Sequence, residues 1–174
     1  GCGGVGLSAV MVGVALGAHV VAVDPSPSAR QRATELGAQV VLGDADGIVE
    51  ATAGGAHVSV DALGSAATAA ASILGLRRRG RHVQVGLMLT DNASAPLPWG
   101  AVVSRELEVI GSHGMAAVDY PGLLAMISAG RLAPGDLVGR TVGLEQAGEE
   151  LVAMDSPVPS AAGLVVAVLP PDAG

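Results

Sequence analysis

The stretch GCGGVGLSAVMVGVALGAHVVAVD, Gly1 to Asp24, decides the fold. Gly1, Gly3 and Gly6 match G-x-G-x-x-G at the start of an apolar run. Glycines are needed at such positions because the backbone must turn tightly and come within hydrogen-bonding distance of a pyrophosphate held at a helix N-terminus, which a Cβ would obstruct. Val5 to Leu16 is apolar on nearly every face and stops at Gly17, so it reads as a buried helix. His19 to Asp24 then reads as a buried parallel strand. Asp24 closes that strand 18 residues after Gly6. A carboxylate there accepts both ribose hydroxyls of NAD and repels the 2′-phosphate of NADP. From Gly4 to Val23 only Ser8 and His19 are polar, and about 20 apolar residues can span a bilayer. Gly17-Ala18 splits the run into a helix and a short β-branched piece, so no membrane span is expected.

Strand and helix alternate through most of the remaining chain. SPSARQRATELGA is a helix with Ser26 as N-cap, Pro27 at its first position and Gly37 as its stop. Gln39 to Leu42 is a strand, Asp46 to Ala53 a short helix and Val58 to Ala62 a strand. Ser65 caps an Ala-rich helix reaching Leu76. RRRGR, Arg77 to Arg81, is expected as a solvated turn before the strand HVQVGL. A loop from Met88 to Trp99 and a short helix lead to the strand LEVIG, and a helix follows from Asp119 to Ala129. Beyond Arg131 the elements shorten: LVGRTVG, a helix near Glu145 to Met154, the turn DSPVPS, the strand GLVVAVL and the tail PPDAG. This order defines a doubly wound, Rossmann-type α/β fold with a parallel sheet. In such sheets ligands bind beyond the carboxyl ends of the strands. The expected organisation is a nucleotide-binding domain over 1–130 and a C-terminal return segment over 131–174.

Composition excludes several classes. The 174 residues carry a net charge of −7 and no lysine, which argues against a nucleic-acid surface. The lone Cys2 forms no internal disulfide, and no signal sequence is visible, so a reducing cytoplasm is expected. His19, His57, His82 and His113 are scattered, without H-x-x-x-H or C-x-x-C spacing for a metal. The first three, at strand starts, read as structural; His113 follows a strand on the ligand side.

In order, GCGGVGLSAV, VVAVD with Gly37-Ala38 thirteen residues on, VDALGSAAT, RRGRHVQVGL, ELEVIGSHG and RTVGLEQAGEELVAMDSPVPS resemble the medium-chain, zinc-dependent alcohol dehydrogenase family. The resemblance runs through essentially the whole chain and implies the cofactor-binding half plus the C-terminal segment. It places Gly1, Gly3, Gly4, Val5 and Gly6 around the pyrophosphate of NAD(H) and Asp24 on the adenosine ribose. Gly64 would lie beside the cofactor, and Val85, Gly86, Leu87 and Ser112, His113, Gly114 near the nicotinamide. The family often has a basic residue five places after the acid; Ala29 stands there, with Arg30 one place later as the ribose candidate.

The resemblance implies hydride transfer between a small alcohol or aldehyde and NAD, with zinc ligands lying upstream of the glycine motif and none in this chain. No catalytic residue and no metal ligand is therefore assigned here, and the segment around LEVIGSHG implies a possible homo-oligomer. A zinc-independent quinone or enoyl reductase of the same superfamily is a second reading, which Asp24 disfavours. An adenosyl-methionine or plain nucleotide module is a third, opposed by VQVGL and VIGSHG. A glycine motif ordinarily follows a strand, and in the order 3-2-1-4-5-6 that strand is central. The sequence is thus expected to be a truncated piece lacking this first strand, inactive and poorly stable alone. Its sheet should either show a gap between HVVAV and VSVDA or have these two strands collapsed together, with Gly1 to Gly4 loosely placed.

Overall fold

The computed structural model describes residues 1–154 and 163–169, with only the backbone at Asp91. Helix α1 (Gly4–Ala15) leads into β1 (Val21–Val23), α2 (Pro27–Glu35), β2 (Val40–Leu42), α3 (Ile48–Ala51) and β3 (Ala56–Asp61). Then come α4 (Ala66–Leu74), β4 (Leu76–Gln84), α5 (Trp99–Ser104), β5 (Glu108–Gly111) and α6 (Tyr120–Ser128). The C-terminal segment contributes β6 (Val138–Gly143), α7 (Ala147–Ala153) and β7 (Leu164–Val168). The DSPVPS turn and the PPDAG tail lie outside the described residues.

Every strand pairing is parallel, β1 with β2, β3 with β4, β4 with β5 and β6 with β7, as helix crossovers between successive strands require. This is the Rossmann-type α/β arrangement the alternation predicts. Among the described residues no ladder joins β1 to β3, so the sheet is divided where the sequence places a gap. The strands β3, β4 and β5 run the same way, and their exits at Ala62–Gly64, Val85–Leu87 and Ser112–Gly114 line one end of the sheet.

The caps form as read from the sequence. Ser26 Oγ accepts the Ala29 N–H at the start of α2. At α4, Ser65 Oγ accepts from Thr68 N while Thr68 Oγ1 accepts from Ser65 N, a reciprocal capping box. Packing joins Leu7 and Val10 of α1, Ala22 of β1, Ala29 and Ala33 of α2, and Ala38 into one buried cluster with Cys2 and Leu137. The small residues let the two helices approach the strand closely.

Three expectations need correction. Helix α1 is buried along one stripe only: Val5 is 53% and Leu16 66% exposed, because it packs on α2, β3 and the 134–137 turn while the sheet beneath it is divided. RRRGR is not a turn ahead of a strand but part of β4, which begins at Leu76. Its ladder to β3 jumps from Ala56↔Leu76 to Val58↔Arg81, and Arg79 takes a positive φ of 59°. The arginines thus form a bulge that stays in solvent by pairing outward: Arg78 and Arg79 with Glu106, Arg81 with Glu108. Finally, the glycine loop is not loosely placed. Cys2 is buried and its N–H donates to Asp24 Oδ2 at 2.7 Å.

The C-terminal segment is tied to the rest by Leu137 in the core and by two guanidinium caps. Arg131 Nη2 donates to the Ala15 carbonyl at the end of α1 at 2.9 Å, and Arg32 donates to the Asp136 carbonyl. Cations at helix carbonyl ends are favourable there.

Candidate functional site

Two clefts border the strand exits. One, of about 760 Å³, lies between Gly3, Gly4, Val5, Ser8, Asp24 and Ser26 on one side and residues of β6, α7 and β7 on the other. Its size suits a nucleotide, since ligand clefts run about 300–1,000 Å³. The other, about 370 Å³, lies among Val85, Gly86, Leu87, Ser112 and His113.

The first cleft is built by the glycine loop. Helix α1 starts on Gly3 with no side-chain cap and no acidic residue in its first turn. The N–H groups of its first turn have no intrahelical acceptors and carry the positive end of the helix dipole, which favours an anion. A Cβ on Gly3 would meet nothing within 4 Å, so its backbone is open to the cleft. At Gly6 a Cβ would stand 1.8 Å from the Gly1 carbonyl oxygen, so only glycine lets the helix close on the loop. Ser8 turns its hydroxyl onto the Gly4 carbonyl at 2.7 Å.

Asp24 is fixed from both sides. Its Oδ2 accepts from Cys2 N and its Oδ1 from Ser26 N at 2.8 Å. Each oxygen keeps lone-pair capacity for a further donor, as two vicinal hydroxyls would supply. Burial pushes the Cys2 thiol above its ordinary range, the dominant influence on it, and the side chain packs in the core cluster with Leu7, Val10 and Ala22. Arg30 does not line the cleft: its Nη1 donates to the Asp24 and Pro25 carbonyls at 2.8 and 2.9 Å, securing the turn that carries the carboxylate.

The second cleft rests on backbone contact between two turns. A Cβ on Gly64, where φ is +88°, would stand 2.3 Å from the Leu87 carbonyl oxygen, and one on Gly86 would stand 2.3 Å from the Gly64 nitrogen. The turns after β3 and β4 therefore touch main chain to main chain. Ser112 N donates to the Gln84 carbonyl at 2.9 Å, drawing the exit of β5 to the same place. His113 is exposed at its rim, and Gly114 follows with a φ of +68°. Gly1 packs near Leu63, which joins the glycine loop to this second group. The thirteen loop and strand-end candidates thus assemble into two adjoining places, and Arg30 stands behind the first.

The wall formed by Val142, Glu150, Leu151 and Leu164 on the first cleft was not foreseen. Nothing local to those residues signals a ligand, since only the return of the chain brings them there. His82, read as structural, is 1% exposed and bonded through both ring nitrogens. Among the described residues no three His, Cys, Asp or Glu side chains come together to hold a metal ion.

Comparison with known proteins identifies the family of the chain. The family model described as zinc-binding dehydrogenase matches residues 4–129, and the chain belongs to that family. An alcohol dehydrogenase of Geobacillus stearothermophilus is 34% identical over 136 residues, 76% of this chain and 40% of that protein. A structure of an alcohol dehydrogenase zinc-binding domain protein from Burkholderia ambifaria superposes with a TM-score of 0.83 at 27% identity, covering 98% of this chain and 47% of that one. An Escherichia coli CFT073 structure described as a short chain alcohol dehydrogenase complexed with NADH shares the fold, with a TM-score of 0.76 at 17% identity over 89% of this chain and 47% of its own. The chain spans about two fifths of the length of the curated relatives it matches.

Proposed function

We propose that this chain is the NAD(H)-binding part of a dehydrogenase that passes hydride between a small alcohol and the nicotinamide ring. The observation that carries this is Asp24. Its carboxylate is oriented by two backbone N–H groups, beside an uncapped helix start, in a cleft of nucleotide size. In this reading Gly3, Gly4 and Val5 hold the pyrophosphate on the first turn of α1, and Asp24 holds the adenosine ribose. Gly64, Val85, Gly86, Leu87, Ser112 and His113 border the nicotinamide end. The NADH in the Escherichia coli structure supports the choice of cofactor. NAD supplies the hydride acceptor; this chain binds and orients it. Among the described residues none is assigned to hold zinc or to receive the alcohol.

Residues 1–130 then form the cofactor domain and 131–174 the segment belonging with the substrate side. The exposed Val109 and Ile110 on β5, Val118 in the turn before α6 and Leu124 on α6 favour a homo-oligomer through the β5 edge. No helix among the described residues is long and apolar enough to cross a membrane; the lone cysteine, which forms no internal disulfide, favours a reducing cytoplasm.

The test is a calorimetric titration with NADH, NADPH and adenosyl-methionine. Binding of NADH in preference to the other two is expected. Preference for NADPH turns the assignment toward a quinone or enoyl reductase, and binding of adenosyl-methionine alone overturns it.

A further inference from the structure

Asp61 and His82 are the buried polar or charged side chains among the described residues, and the cofactor reading uses neither. A carboxylate only 2% exposed is costly unless every lone pair is engaged. Asp61 Oδ1 accepts from Leu63 N at 2.9 Å and Gly64 N at 3.2 Å. Its Oδ2 accepts from Gln84 Nε2 at 2.8 Å and Thr68 Oγ1 at 3.1 Å. The Asp61 backbone carbonyl takes the Val85 and Gly86 N–H groups at 3.0 and 2.8 Å.

Gln84 completes the tie. Its amide nitrogen also donates to the Gly86 carbonyl at 2.9 Å, which turns its Oε1 toward His82 Nε2 at 3.1 Å. A carboxylate only accepts, so the Gln84 amide is oriented with its Oε1 toward His82 Nε2, and His82 Nδ1 faces the Ser59 and Ser72 hydroxyls. One carboxylate thus fastens the turn after β3 to the turn after β4.

We propose that Asp61 is a positioning residue for the nicotinamide end of the cofactor: with Gln84 as its bridge it locks the Gly64 turn against the Val85–Leu87 turn without touching the ligand itself. The inference rests on the NAD(H) reading, and ADP-ribose separates the two, because that ligand fills the adenosine and pyrophosphate places and lacks the nicotinamide.

The experiment uses the protein expressed from its complete natural reading frame. Affinities for NADH and ADP-ribose are measured for the wild type, Asp61→Asn and Gln84→Leu. Asp61→Asn keeps the Oδ1 acceptor but sets an amide against the Gln84 donor. A misplaced turn should weaken NADH about tenfold in both variants and leave ADP-ribose within about twofold. Amide exchange at Gly64 and Gly86 should quicken in parallel. Equal loss for both ligands, or no loss for NADH, overturns the positioning role and spares the cofactor reading. A wild type that binds neither ligand overturns both. If Asp61→Asn fails to fold, Gln84→Leu decides alone, since it leaves Asp61 three of its side-chain donors.

Discussion

The two ends of the proposed cofactor site are held in opposite ways. At the adenosine end a glycine loop rests on one half-buried carboxylate, and the far wall is lent by the C-terminal segment. At the nicotinamide end a buried carboxylate binds two turns whose backbones already touch. The first end has few internal ties and draws its shape from an open helix start. The second is fastened by hydrogen bonds and main-chain contact within the protein itself. Such a division suits a ligand that is gripped at one end and aimed at the other, since aim requires fixed walls and grip does not.

The largest effects should come from the contact between the turns. Gly86→Ala would put a methyl 2.3 Å from the Gly64 nitrogen, an overlap with main chain that no rotamer relieves. We expect a loss of about 3 kcal/mol or more in urea denaturation. Gly3→Ala has open space around it and should change stability by less than about 0.5 kcal/mol. It should nevertheless weaken NADH, because its Cβ enters the cleft. Unchanged NADH affinity in Gly3→Ala would show that the pyrophosphate does not lie on this loop.

Next in size is Asp24→Ala. Removing the carboxylate takes away the like charge that faces a 2′-phosphate and the acceptor for the ribose. The ratio of NADPH to NADH affinity should rise by about ten- to a hundredfold, or 1.4 to 2.8 kcal/mol. A ratio that does not move would mean that Asp24 only holds Cys2 and Ser26.

A smaller effect follows from Asp61. Burial alone would raise its carboxyl, but the donors Gln84, Leu63, Gly64 and Thr68 outweigh burial and hold it below the ordinary carboxylate range. A depressed folded value means the stabilisation is complete above the unfolded carboxylate value, near pH 4, and is lost as pH falls from there through the folded value. The stability advantage of wild type over Asp61→Asn should therefore be constant from pH 7 to about 5 and shrink below about 4. A difference independent of pH down to 2 would mean that folding does not depress the Asp61 carboxyl.

The glycine loop with Asp24 beside it is legible in the sequence because its signals are local. Gly1, Gly3 and Gly6 fall within one turn of chain, and Asp24 ends the next strand. The gap between β1 and β3 was legible for the same reason, from the order of elements around that motif. The lock at Asp61 was not. VDALG was singled out for Gly64, whereas the acid three residues earlier gains its role from Thr68 and Gln84, and Gln84 is 23 residues away on another strand. The start of β4 is hidden in the sequence because a charged run looks like a turn, and a bulge with Arg79 at positive φ is strand and turn at once.

The smallest expected effect also tests whether the two ends are independent. Cys2 is 3% exposed, its Sγ lies 3.8 Å from the Val23 carbonyl, and burial raises its thiol. Iodoacetamide at neutral pH should therefore label it only through transient openings of the glycine loop. The loop is held chiefly by Cys2 N–H on Asp24 and the closure of Gly6 on Gly1, so these openings should be local and cost less than global unfolding. Saturating NADH should slow the labelling, because a ligand bound to the closed loop suppresses the open one. Asp61→Asn, acting on the other end, should leave the unliganded labelling rate within about twofold, as expected of sites without shared partners. Leu63 and Ala62, in the turn after β3, border Gly1 and Gly6, and through them the nicotinamide end could reach the loop. A labelling rate that rises with Asp61→Asn while the melting temperature holds would show that this contact couples the ends, and the grip would then depend on the aim.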